Sequence, residues 1–288
     1  MQHHFIKTNG VNLHVVEAGP AQGPLVILLH GFPEFWYGWR YQIDALAAAG
    51  YRVWAPDGRG YNLSEKPDGV AAYALEQLVA DVLGLIEAAG VAKAHIVGHD
   101  WGAIVAWWLA MTHPERVNRL VILNVPHPAV MARYVARLPR QLLKSWYVFF
   151  FQLPFLPEWL ARRRNWRLMS GVMTRTSRPG TFSADALRLY RQAWSQPGRG
   201  RTGAFRAMVN WYRAALRQRP AFPADTRVTV PTLLLWGVQD AFLVPEMAPA
   251  SLALCDGGTL IWFDTATHWL QHEEASAVNA HLCRFLAD

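Results

Sequence analysis

Cysteine is nearly absent from this 288-residue chain, which has two, Cys255 and Cys283, neither beside another motif. A disulfide framework is thereby excluded, and two buried free thiols are expected instead. Nowhere do Cys and His cluster with metal-ligand spacing, so neither a metal nor a cofactor is expected. Charge is also sparse: charged residues make up 17% against 52% hydrophobic, which excludes a disordered chain and leaves a globular one. The chain has no run of 18 uncharged apolar residues, so no helix should span a bilayer. The start, Met1-Gln2-His3-His4-Phe5-Ile6-Lys7, lacks the apolar core of a signal peptide, and a mature cytoplasmic protein is the expectation. Internal repeats and low-complexity tracts are missing as well.

Acidic residues are scarce in one region only. Residues 128–222 carry eighteen Lys and Arg against two acids, Glu158 and Asp185, whereas the rest of the chain is net acidic. A solvated basic insertion facing an acidic core explains this asymmetry. No nucleic-acid motif accompanies it, so no nucleic-acid partner is expected. The aromatic run Trp146-Tyr147-Val148-Phe149-Phe150-Phe151 near Arg162-Arg163-Arg164 keeps weak peripheral membrane contact open. The oligomeric state is not legible, and a homodimer stays open.

What the chain does have is a β-α-β rhythm. Strands are expected at 11–17, preceded by an Asn9-Gly10 turn, then at 25–29, 51–55, 94–98 and 117–123. Helices are expected at 41–49 and 75–89, closed by Gly50 and Gly90, and at 103–111 before His113-Pro114. The unbroken apolar run Leu25 to Leu29 suits a strand buried on both faces. At Val125-Pro126-His127-Pro128 the pattern turns helical, Arg-rich and Trp-rich. The strand rhythm returns at 232–236 and 259–263, before a last helix from about Glu273 to Leu286. The fold class is therefore α/β: a mostly parallel, doubly wound sheet of residues 1–127 and 223–288, with 128–222 inserted as a helical cap. Ligands bind beyond the carboxyl ends of such strands, so the cap should roof the site.

The most informative segment is Ile96-Val97-Gly98-His99-Asp100-Trp101-Gly102-Ala103: strand, sharp turn, helix, with a carboxylate at the tip. Hydrolases of the α/β type place a serine there, in G-x-S-x-G. A carboxylate attacks carbon without first losing a proton, which suits displacement at an sp³ carbon and leaves an alkyl-enzyme ester. Water must then hydrolyse that ester. His268, after the strand 259–263, is the expected base for it, because imidazole titrates near neutrality. Asp240, after the strand 232–236, is expected to orient the ring, giving the order nucleophile, acid, histidine. The turn His30-Gly31-Phe32-Pro33 follows the strand 25–29 and should supply an oxyanion-hole N–H from Phe32, with a second from Trp101.

With these residues in view the chain resembles the epoxide hydrolases of the α/β-hydrolase superfamily, in their soluble, mammalian-like branch. The resemblance covers nearly the whole chain. It is strongest over His30-Gly31-Phe32-Pro33-Glu34-Phe35-Trp36-Tyr37-Gly38-Trp39-Arg40, Gly58-Arg59-Gly60-Tyr61, Gly98-His99-Asp100-Trp101-Gly102, and Trp236-Gly237 with Asp240-Ala241-Phe242. It implies that Tyr147 and Tyr212 in the cap hold the epoxide oxygen, and that the substrate is a small apolar epoxide opened to a vicinal diol with water. Two phenols can meet a developing alkoxide without adding formal charge. Three other readings stay open. A haloalkane dehalogenase is weakened because Phe32 stands where an Asn halide donor is usual. A haloacid dehalogenase is weakened because Trp101, not Arg, follows the nucleophile. A catalytically silent binding module would be expected to have lost at least one of the five site residues.

Overall fold

The computed structural model describes residues 1–198, 202–218 and 220–287. Its eight strands are β1 (Gln2–Thr8), β2 (Val11–Ala18), β3 (Leu25–Leu29), β4 (Arg52–Pro56), β5 (Ala94–His99), β6 (Val117–Leu123), β7 (Thr232–Gly237) and β8 (Gly258–Phe263). They form one sheet in the order β1-β2-β4-β3-β5-β6-β7-β8. The first two pairings, β1 with β2 and β2 with β4, are antiparallel, and the other five are parallel. Strand β1 goes beyond the sequence expectation, which starts the sheet at Val11. Asn9 and Gly10, both at positive φ, fold it back as a hairpin. Its outward residues are largely exposed, so it lacks the apolar signature of the buried strands.

Alternation along the strands sorts the core into two layers. Val26, Leu28, Val97, Val121, Leu233 and Leu235 face the helices α1 (Arg40–Ala48) and, at the far end of the chain, 275–287. Ile27, Leu29, Ile96, Leu120, Ile122 and Leu234 face α2 (Leu75–Ala88) and α3 (Trp101–Thr112). Helix α3 is apolar on all sides, and ten of its twelve residues are buried. The central strands are therefore dry on both faces, and their carboxyl ends converge at the loops carrying Phe32, Asp100, Asn124, Asp240 and His268.

Between β6 and β7 the chain runs through α4 (Pro128–Arg137), α5 (Pro139–Lys144), α6 (Trp146–Phe150), α7 (Leu156–Thr176), α8 (Ala184–Trp194) and α9 (Ala204–Arg217). Helix α7 breaks at Arg163, and the following Arg164, Asn165 and Trp166 take left-handed backbone angles. The tryptophans of this region tie it to the sheet loops. Trp194 Nε1–H donates to the Pro33 carbonyl at 2.6 Å and Trp211 Nε1–H to the Arg59 carbonyl at 2.9 Å. Trp269 Nε1–H, from the core side, reaches Thr176 Oγ1 at 3.0 Å. Each indole buries a large apolar body while its single donor finds an acceptor. After α10 (Met247–Leu252), a short α11 (Leu270–Glu273) precedes α12 (Ala275–Ala287), which is the closing helix expected from about Glu273 to Leu286. Both thiols are free, but only Cys255 is buried; Cys283 is partly exposed on α12, against the expectation of two buried thiols.

Candidate active site

Asp100 sits at the tip of the turn joining β5 to α3, at φ 49° and ψ −123°. A non-glycine residue in that region is strained, and it persists because the packing around it allows nothing else. Two glycines make the packing possible. A Cβ on Gly102 would lie 2.0 Å from the Leu29 carbonyl oxygen, and one on Gly31 would lie 2.3 Å from Asp100 Cβ. The start of α3 thus presses directly on the end of β3, which lifts the carboxylate out of the turn.

Its two oxygens meet different partners. Asp100 Oδ1 accepts a hydrogen bond from the Phe32 N–H at 2.5 Å. The Trp101 N–H, the first amide of α3, has no acceptor within the helix. Asp100 Oδ2 lies 3.6 Å from His268 Nε2. On the opposite edge of the ring, His268 Nδ1–H donates to Asp240 Oδ2 at 2.7 Å. The Phe32 amide, Asp100, His268 and Asp240 are therefore brought together, and Trp101, next to Asp100, opens α3 beside Gly31. Asp240 is fully engaged: Oδ1 accepts from the Phe242 and Leu243 N–H groups, and Oδ2 also accepts from Asn124 Nδ2.

The electrostatics follow from this arrangement. Burial works against a charged His268. The Asp240 carboxylate, together with the hydrogen bonds to Asp100 and Asp240, outweighs it and pushes the ring up to about 10. Burial likewise works against the Asp240 charge, yet His268 and the Asn124 hydrogen bond hold its carboxyl below the usual range.

A cavity of about 510 Å³ opens above Asp100 and His268, lined by Tyr147, Tyr212, Trp101, Trp108, Ile104 and Phe242 among others. The two tyrosine rings stand 6.0 Å apart, edge to face, and Tyr212 packs edge-on against Trp101 at 5.0 Å and Phe32 at 5.3 Å. Burial, and then the Asp100 charge, raise both phenols well above their ordinary pKa, so they remain neutral donors. Among the described residues the cavity lining includes no lysine or arginine.

Sequence reasoning missed two groups. Asn124, at positive φ directly after β6, accepts from Gly237 N–H at 2.8 Å while donating to Asp240, so it clamps the acid loop. Its only signal was its place at a strand end. The second group is a buried cluster under the histidine. Glu34 accepts from Tyr190 Oη–H, Gln271 Nε2–H and His272 Nε2–H at 2.6 to 2.8 Å. His99 Nε2–H donates to the His268 carbonyl at 2.8 Å. Burial disfavours the Glu34 charge, but His272 and His99 hold the carboxyl well below the ordinary range, while burial lowers His272. Two more histidines serve structure. His30 Nε2 accepts from Gly58 N–H, joining two loops, and His127 Nδ1 accepts from Ala129 N–H as the cap of α4.

The chain matches the alpha/beta hydrolase fold family over residues 24–275. It is 44% identical to the AB hydrolase superfamily protein YfhM of Bacillus subtilis, over 98% of this chain and 96% of that protein. It is 38% identical to human epoxide hydrolase 4, over 98% of this chain and 78% of that protein. Among solved structures, a Bacillus megaterium epoxide hydrolase in complex with an inhibitor superposes with a TM-score of 0.87 at 32% identity, covering 99% of this chain and all of that one. With an aspartate at the elbow of this sheet and these relatives over nearly its whole length, the chain belongs to the epoxide hydrolases of the alpha/beta hydrolase superfamily.

Proposed function

We propose that the chain opens an uncharged, apolar epoxide to a vicinal diol through a covalent Asp100 ester hydrolysed by a His268-activated water. The observation that carries this reading is the division of labour between the two Asp100 oxygens. Oδ1 is held by the Phe32 amide, and Oδ2 faces His268 and the cavity. Oδ2 attacks a ring carbon, the carbon–oxygen bond of the ring breaks, and the leaving oxygen is met by the Tyr147 and Tyr212 hydroxyls. One phenol gives its proton to the alkoxide, making the first hydroxyl, and regains one through solvent water as the His268 imidazolium loses its own, which leaves the ring neutral for the next step. The ester carbonyl oxygen is then Oδ1, already in its oxyanion site. Water adds to Cγ, its proton goes to His268 Nε2, and collapse releases the diol and restores the carboxylate. Asp240 keeps the Nδ1–H tautomer and balances the imidazolium.

The apolar lining favours an aryl or terpene epoxide over a fatty-acid epoxide, whose carboxylate would find no counter-charge among the described lining residues. The Phe32 side chain, packed on Phe151 and Tyr212, offers no N–H to a leaving halide. The test is diol formation from styrene oxide and a terpene epoxide, set against halide release from a bromoalkane. Diol alone is expected; halide without diol would reassign the chemistry to a dehalogenase.

Removing one phenol should leave the other to carry the developing charge. Tyr147→Phe and Tyr212→Phe are each expected to lower kcat/KM about tenfold. The double variant should lose roughly 10³-fold, more than the two single losses multiplied, because no donor then remains at the leaving oxygen. Single-turnover rates of ester formation locate the loss, and an unaffected first step in the double variant would exclude this role.

A further inference from the structure

The helices between β6 and β7 carry a series of exposed large apolar side chains. Leu143, Trp146, Phe149, Phe155, Leu156 and Trp159 follow one another across α5, α6 and the start of α7. Leu143 is 73% exposed, Trp146 62%, Phe155 60% and Trp159 54%. Soluble surfaces scatter such residues singly, whereas a run of them marks a surface that meets something else. Arginines border the stripe. Arg163 lies over the Trp159 ring at 4.5 Å and Arg206 over the Phe155 ring at 5.3 Å. With Arg162 they line a surface cavity of about 430 Å³. The acid in that cavity, Glu158, is already consumed by the buried Arg213 at 2.7 Å.

We infer that this face of the cap docks on an anionic lipid bilayer. Apolar and aromatic side chains interleaved with guanidinium groups are what a helix lying in the headgroup region presents. The rings enter the acyl boundary, and the arginines stay among the phosphates. Charge opposes a second copy of the chain docking through the same face, since two such faces would set arginines against arginines. A nucleic acid would leave the exposed leucines without a partner. The stripe also reaches the cavity: Phe149 is half exposed and lines it, as do the exposed Leu216 and Phe222. A bilayer at this face would put an apolar substrate, already dissolved in lipid, beside the mouth. The docking itself does not rest on the reaction proposed above, and a binding assay tests it without turnover.

The purified full chain is sedimented with phosphatidylcholine vesicles containing or lacking phosphatidylglycerol. Binding is expected to the anionic vesicles only, and to fall as salt is raised. Leu143→Ser with Trp159→Ser removes anchors, and Arg163→Glu with Arg206→Glu reverses charge. Each pair should lower the partition coefficient on the order of tenfold or more while melting and hydrolysis of a water-soluble epoxide stay unchanged. Wild type left in the supernatant with both vesicles, binding indifferent to lipid charge, or binding unmoved by either pair would overturn the inference. So would a dimer by light scattering that Leu143→Ser with Trp159→Ser converts to monomer, because the face would then belong to a second copy.

Discussion

Asp100→Ala is expected to abolish diol formation, with kcat lowered by roughly 10⁴-fold or more, the scale seen when a covalent nucleophile is deleted. The loss should be this large because nothing else in the site can take over. Asp240 is the nearest other carboxylate in the network, but its oxygens are spent on two backbone amides, Asn124 and the His268 ring. It is also fully buried behind that ring, away from the cavity. Alanine at φ 49° adds backbone strain, so Asp100→Asn serves as the partner variant. Asparagine tolerates that conformation and still accepts from the Phe32 N–H, yet its amide oxygen is a poor nucleophile. Its melting temperature should match wild type while diol production vanishes, with intact mass confirming that the amide persists through the assay. Diol from Asp100→Asn at the wild-type rate would reduce the carboxylate to a spectator and leave direct water attack on the epoxide.

How much of this site the sequence announces depends on how each residue is positioned. Asp100, Asp240 and His268 each stand just after a short apolar run, so the sheet that delivers them is written next to them in the chain. The glycines around the elbow are equally local, since Gly102 is needed where α3 starts against Leu29. Glu34, by contrast, meets Tyr190, Gln271 and His272 only after the cap and the last helices have packed, more than 150 positions away. No periodicity carries that information. Asn124 looks like any polar residue ending a strand until β7 brings Gly237 beside it. In the cap, Tyr147 stands in a run of aromatics that composition cannot rank. Packing alone separates it from Trp146, which points outward while Tyr147 lines the cavity. Strand β1 escapes for a related reason: an edge strand with an exposed face has no need of the apolar alternation by which strands are recognised.

His268→Gln should separate the two chemical steps. On the proposed mechanism, ester formation needs the carboxylate and the phenols, whereas ester hydrolysis needs a base; glutamine can neither take the proton from water nor hold it. The variant is expected to consume one equivalent of epoxide, gain the mass of the substrate at Asp100, and stop, with steady-state turnover lowered by about 10³-fold or more. In the wild type the same step has a pH signature with a definite sign. In the resting site the ring is pushed up to about 10 by Asp240 and Asp100 together, so it is protonated at neutral pH. Alkylation of Asp100 cancels that carboxylate's charge, leaves burial opposed by Asp240 alone, and lowers the ring's pKa. On the proposed mechanism the first step thereby releases the base that the second step requires. As pH falls through this lowered value, kcat should fall and the ester should accumulate, while the burst that forms it persists. Asp240→Asn removes the remaining support for the protonated ring, so the acid limb of kcat should move to lower pH even as the maximum drops. Multiple turnovers by His268→Gln without a covalent adduct would mean that water, not Asp100, opens the ring.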